Sequence, residues 1–182
     1  LRRAIMKLDY QISVNTGFEK VIKMCSERHE TWINQEIITN YCLLYQSGHA
    51  HCLEVWNKEK LIGGIYGVSI GAVFFGESMF SKKNNASKIA LAYLVNRLKE
   101  TGFKLFDTQF LTPHLASLGA IEIPKSKYKI LLDQAIEEVA NFIVEENPQI
   151  IYSCSHNLLS KHVAIYNFEY QKNHKLYRFF RC

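Results

Sequence analysis

Long apolar runs, prolines and paired cysteines are all scarce in this 182-residue chain. No stretch reaches the roughly 18 consecutive apolar residues that a membrane-spanning helix needs. Cys25, Cys42, Cys52, Cys154 and Cys182 are odd in number, and no two form a C-x-x-C. That pattern argues against a disulfide framework and a zinc ribbon, and it favours reduced thiols in a cytoplasmic setting. The opening LRRAIMKLDYQ has two arginines but no apolar region behind them, so a secretory signal is not expected. The chain also lacks an initiating Met, which is the mark of a possible fragment. Walker A, G-x-G-x-x-G and G-x-S-x-G patterns, repeats and low-complexity segments are missing too. The net charge of +5 is only mildly basic, which permits an anionic partner such as a nucleic acid without requiring one.

What is there suits one full domain with a real core, since nearly half the residues are apolar. Leu8, Tyr10, Ile12 and Val14 alternate with polar residues and predict a strand. Phe18, Val21, Ile22 and Cys25 recur at helical spacing, and Asn34 is placed to cap a second helix running from Gln35 to Ser47. AHCLEVWN and LIGGIYGV read as a hairpin, and AVFFG as a third strand after a turn at Gly71. Asn85 can cap the helix that begins ASKIAL, with Gly102 closing it. KLFDTQF predicts a strand, Ser126 to Glu146 a long amphipathic helix, and QIIYSCS, HVAIYNFEYQ and KLYRFFR closing strands. The order defines a mixed α/β (α+β) domain whose sheet is largely antiparallel and flanked by helices.

Several residues invite a chemical reading. In FDTQF, strand alternation puts Asp107 and Gln109 on one face, with Phe106, Thr108 and Phe110 on the other. A solvated strand face and a functional pair explain them equally well. Glu77 follows an apolar strand and precedes Met79, and alone it reads as a surface acid. Lys82, Lys83 and Lys88 surround Asn84 and Asn85 where a helix starts, so outward N–H groups there can meet a phosphate. The plain alternative is a solvated charge cluster. The glycines of GGIYG sit within a strand and mark a bulge or close backbone approach. His49 and His51 lack a third ligand nearby, so a structural pair is expected and no metal. Cys52 has no nucleophile signature and reads as core.

These pieces become one pattern when taken in order. TWI, YCLLYQSGHAHCLEVW, LIGGIYGV, FFGESMFS, NASKIAL, LFDTQF and HLASLGAIEIP together resemble the leucyl/phenylalanyl-tRNA–protein transferase family. The likeness runs from about Leu1 to Leu132, which predicts a catalytic unit at 1–132 and a divergent helix and strands at 133–182 within the same domain. The resemblance implies a fold like that of the acyl-CoA N-acyltransferases, without that cofactor or any other. It implies transfer of Leu or Phe from charged tRNA to proteins with N-terminal Arg or Lys, which marks them for N-end rule degradation. It assigns Glu77, Asp107 and Gln109 to the active site. It places Ile65, Met79, Leu91, Leu94 and Phe106 around the donor side chain, with Trp32 as a site tryptophan. Lys82, Lys83 and Lys88 are the candidate tRNA contacts. Ile65 and Phe106 replace other apolar types of the family.

The chemistry fits those residue types. The donor ester is already activated, so positioning dominates the barrier. The acceptor amine, with a pKa of roughly 7.7–8.0, is partly neutral at pH 7. Gln109 is a poor base and is better suited to orienting the amine or carbonyl, with Asp107 fixing Gln109. Asp107→Asn is then expected to lose more activity than Gln109→Glu. An apolar pocket separates side chains by only about 1–3 kcal/mol per methylene, so accepting both Leu and Phe is easy. Two other readings stand beside this one. A catalytically silent module could bind basic N-termini or tRNA 3′ ends, a reading favoured by the lack of the family's N-terminal domain. A coenzyme A-dependent acetyltransferase would need a glycine-rich pyrophosphate loop where this chain has SKKNNASK.

Overall fold

A computed structural model describes Ile5, residues 9–143 and the backbone of residues 165–168. Among these described residues seven strands form one sheet in the order β1-β2-β3-β4-β5-β7-β6. β1 (Gln11–Val14), β2 (Ala50–Asn57), β3 (Lys60–Ile70) and β4 (Val73–Ser81) pair antiparallel and carry most of the register. β5 (Leu105–Asp107), β6 (Ala120–Ile123) and β7 (Ile165–Phe168) complete the sheet in parallel pairing.

Helices cover both faces. α1 (Phe18–Ser26) buries the four residues whose spacing predicts it, and α2 (Gln35–Gln46) starts where Asn34 Oδ1 accepts from Ile37 N–H at 2.9 Å. Both pack with Cys52, Tyr66 and Phe80. On the other face α3 (Ala86–Glu100) lays Ile89, Leu91, Leu94 and Leu98 against Ile12, Leu53, Ile65 and Phe106. Each such side chain contributes about 1.5–3 kcal/mol when fully buried. Gly63 permits that approach, because a Cβ there would lie 2.6 Å from Ala86 Cβ.

The β3–β4 pair breaks register once. Tyr66 faces Ser78, but Gly67 faces Gly76, so Glu77 is the extra residue of a bulge in β4. The bulge flips the strand's alternation. Phe74 and Met79 are five residues apart and would point to opposite faces of a regular strand, yet both join the α3-side core. Gly67 is required there, since a Cβ would fall 2.2 Å from the Phe75 carbonyl oxygen.

Several expectations need correction. Asn85 adopts φ 67° and makes no side-chain cap, while Ser81 Oγ accepts from Ser87 N–H instead. The strand through FDTQF ends at Asp107, because Gln109 turns the chain at φ 64°. Phe110 is therefore 65% exposed, whereas Phe106 is buried. TPHLASLGA, for which the sequence analysis gives no element, holds a short helix, α4 (Pro113–Ala116), followed by β6. The long helix predicted to Glu146 is α5 (Lys125–Ile136) and stops ten residues sooner. β7 falls within HVAIYNFEYQ, and QIIYSCS and KLYRFFR lie outside the described residues. Of the histidine pair, only His51 is on a strand. It is buried, stacks on Phe142 and sits 3.0 Å from both Asn15 Nδ2 and Ser69 Oγ. Burial, helped by the Arg97 charge, lowers its pKa to about 4 and keeps it neutral. Cys52 is core, as expected, and burial holds its thiol protonated.

Candidate functional site

Three polar side chains meet where β4 bulges beside the end of β5. Phe75 is the register partner of Asp107, so the parallel β4–β5 pair brings Glu77 and Asp107 to the same edge. Asp107 is 6% exposed, and both of its carboxylate oxygens are held. Oδ1 accepts from the Gln109 backbone N–H at 2.7 Å, and Oδ2 accepts from the Tyr128 hydroxyl at 2.6 Å. Gln109 Nε2 donates to the Gly76 carbonyl at 3.1 Å, which sets its side chain against Glu77. Asp107 therefore fixes Gln109 through the main chain, and the Gly76 carbonyl orients the amide.

Burial pushes both carboxyls above their ordinary values. For Glu77, the Gln109 and Tyr41 side chains pull it partly back, while the Asp107 charge adds to the rise. For Asp107, the Tyr128 hydroxyl and then the Gln109 N–H oppose burial. Two acids with raised affinity for protons, an amide between them and two tyrosine hydroxyls form a compact polar cluster in an otherwise apolar sheet.

The apolar candidates are also brought together. Ile65, Leu91, Leu94 and Phe106 are buried in the α3-side core, and Met79, the cross-strand partner of Ile65, packs on that core from the rim. Gly76 makes room for this arrangement, since a Cβ would come within 2.9 Å of Phe106 Cε2. Met79 also lines an open cleft of about 340 Å³ together with Arg28, Lys82, Ser87 and His114. Arg28 donates to the Met79 carbonyl and to Ser78 Oγ, tying the loop after α1 to β4. Lys82 pairs with Glu27 at 2.6 Å.

Other candidates stand apart. Trp32 is 53% exposed in the loop between α1 and α2 and does not line that cleft. Lys83 is exposed and Lys88 is half-buried at the start of α3. Four backbone N–H groups of this turn are already engaged. Lys82 and Lys83 N–H donate to Ile62 O, Ala86 N–H to Lys83 O, and Ser87 N–H to Ser81 Oγ. Side-chain cations stand beside these engaged N–H groups. Among the described residues no group of three potential metal ligands occurs.

An acid–amide cluster beside an apolar core and a partly cationic cleft is the kind of junction at which an enzyme does polar chemistry. Comparison with known sequences narrows that class. The profile of the family described as leucyl/phenylalanyl-tRNA protein transferase matches residues 1–133. A leucyl/phenylalanyl-tRNA–protein transferase of Ruegeria pomeroyi is 55% identical over 151 residues, covering 82% of this chain and 72% of the relative. One from Cereibacter sphaeroides is 54% identical over 145 residues, covering 80% and 68%. This chain belongs to the leucyl/phenylalanyl-tRNA–protein transferase family and is a transferase. Among solved structures, an aminoglycoside acetyltransferase from an uncultured soil sample aligns with TM-score 0.46 and 12% identity over 76% of this chain and 97% of that one. At that level the likeness carries no argument.

Proposed function

We propose that the chain transfers Leu or Phe from charged tRNA to the N-terminal Arg or Lys of acceptor proteins, marking them for N-end rule degradation. The reaction joins the acceptor's α-amine nitrogen to the ester carbonyl carbon. The C–O bond to the tRNA ribose breaks, and the ribose oxygen takes up the proton that the amine loses. Glu77, Asp107 and Gln109 are the reacting-site residues in this reading. Gln109 orients the amine or the carbonyl, and the two carboxylates offer negative charge to an amine that becomes positive as it attacks. Ile65, Met79, Leu91, Leu94 and Phe106 form the apolar wall for the donor side chain, with Met79 at its entrance. An unbranched Met adapts to both Leu and Phe. Trp32 offers an exposed ring on which a base can stack.

The observation that carries this reading is the junction at the bulge. Glu77 joins the acid–amide cluster, and two residues on Met79 joins both the apolar core and the cleft. The test is transfer of labelled Leu from charged tRNA to a peptide beginning with Arg, beside the same peptide beginning with Ala. Label on the Arg peptide alone, lost in Asp107→Ala, is the expected result. A folded chain that transfers nothing but still binds the Arg peptide would replace the enzyme reading with a binding one.

A further inference from the structure

A helix far along the chain reaches into the acid cluster. Tyr128, on α5, donates its hydroxyl to Asp107 Oδ2 at 2.6 Å across 21 residues of sequence. The helix behind it is locked to the sheet. Ala135 is 2% exposed, Ala72 N–H donates to the Ala135 carbonyl at 2.8 Å, and Tyr128 and Leu132 pack with Val73, Leu105 and Ala135. Gly71 sits so close that a Cβ would lie 2.2 Å from Ile136 O. The hydroxyl is thus delivered from a scaffold rather than from a loop.

We infer that Tyr128 is a positioning residue for the transfer reaction: through its hydrogen bond to Oδ2 it fixes the orientation of the Asp107 carboxyl group at the acceptor amine. The inference rests on the reading that Asp107 serves the reaction. A buried carboxylate needs donors to stay charged, and Asp107 has two described ones, the Tyr128 hydroxyl and the Gln109 N–H. With one on each oxygen, the carboxylate plane is fixed. Tyr128 stays protonated in this role, since burial and then the Asp107 charge both raise its pKa. Taking away the hydroxyl leaves one oxygen without a described donor and raises the proton affinity of Asp107 further.

The test is the pH profile of Leu transfer by the full chain as wild type, Tyr128→Phe and Asp107→Asn, with thermal melting of each. A hydrogen bond to a charged group corresponds to about a ten- to hundredfold loss in kcat for Tyr128→Phe. The KM for charged tRNA should stay nearly unchanged, and the acid limb of kcat/KM should move to higher pH. Wild-type activity and an unmoved acid limb in Tyr128→Phe, with Asp107→Asn inactive, would overturn the inference alone. A rate loss with an unmoved limb and a lower melting temperature would reduce Tyr128 to a structural role. Full activity in Asp107→Asn would instead remove the reading beneath it.

Discussion

Asp107, a reacting-site residue in the proposed function, carries a cost to the fold. Its carboxyl titrates near 3.9 in an unfolded chain, roughly. In the folded chain burial holds it higher despite two hydrogen bonds. Between those two values the native state binds more protons than the unfolded one, so stability falls as pH rises through that window and stays lower above it. Asp107→Asn keeps the shape and removes the charge. The variant is expected to melt above the wild type at pH 7, with the gap closing as acid protonates the wild-type carboxyl. Transfer should drop by about a hundredfold. Melting curves from pH 4 to 8, read beside initial rates, check both halves, and a variant less stable than wild type at pH 7 would refute the first. Gln109→Glu is a harsher change than the sequence suggested, because the Gln109 amide lies against Glu77 and a second carboxylate there would meet like charge.

The β3–β4 bulge decides which β4 side chains face the α3-side core and which join the acid–amide cluster. Without the extra residue, Met79 would turn from the α3-side core to the opposite face. Gly67→Ala tests this directly. The added Cβ would meet the Phe75 carbonyl, a backbone atom that cannot rotate away. The substitution should cost about 1–3 kcal/mol in a urea titration and lower the transfer rate at the same time. Stability lost without any loss in rate would separate the bulge from the chemistry. The same element shows what sequence can carry. The glycines of GGIYG signalled a bulge or a close approach, and both occur, at Gly67 and Gly63. Which strand bulges, and at which residue, depends on pairing and leaves no local trace. Strand alternation paired Asp107 with Gln109 for the wrong reason. They meet because Gln109 turns back at φ 64° and gives its N–H to Asp107. Tyr128 was invisible, since a tyrosine on an amphipathic helix has no signature until the helix docks. The helices α1 and α2, by contrast, follow from spacing and a cap that are local.

At the scale of the whole molecule, a net charge of +5 draws the chain toward a polyanion, but only cations left unmatched can bind phosphate. Lys82 is matched already, 2.6 Å from Glu27, and as a half-exposed pair the two present little net field. Lys83 and Lys88 form no ion pair among the described residues. Arg28, the other cation at the cleft, is engaged with β4. If the start of α3 meets the single-stranded 3′ end, the KM for charged tRNA should rise with salt. Each lysine that holds a phosphate then adds about 0.7 to the slope of log affinity against log salt. Lys83→Gln and Lys88→Gln should each flatten that slope by about 0.7, leaving kcat close to wild type. Removing the matched pair together, Glu27→Gln with Lys82→Gln, should leave the slope where it was. KM measured at four salt concentrations for these variants distinguishes the cases. A pair variant that flattens the slope as much as Lys83→Gln would show that Lys82 leaves Glu27 for the RNA, and the unmatched lysines would lose their special standing.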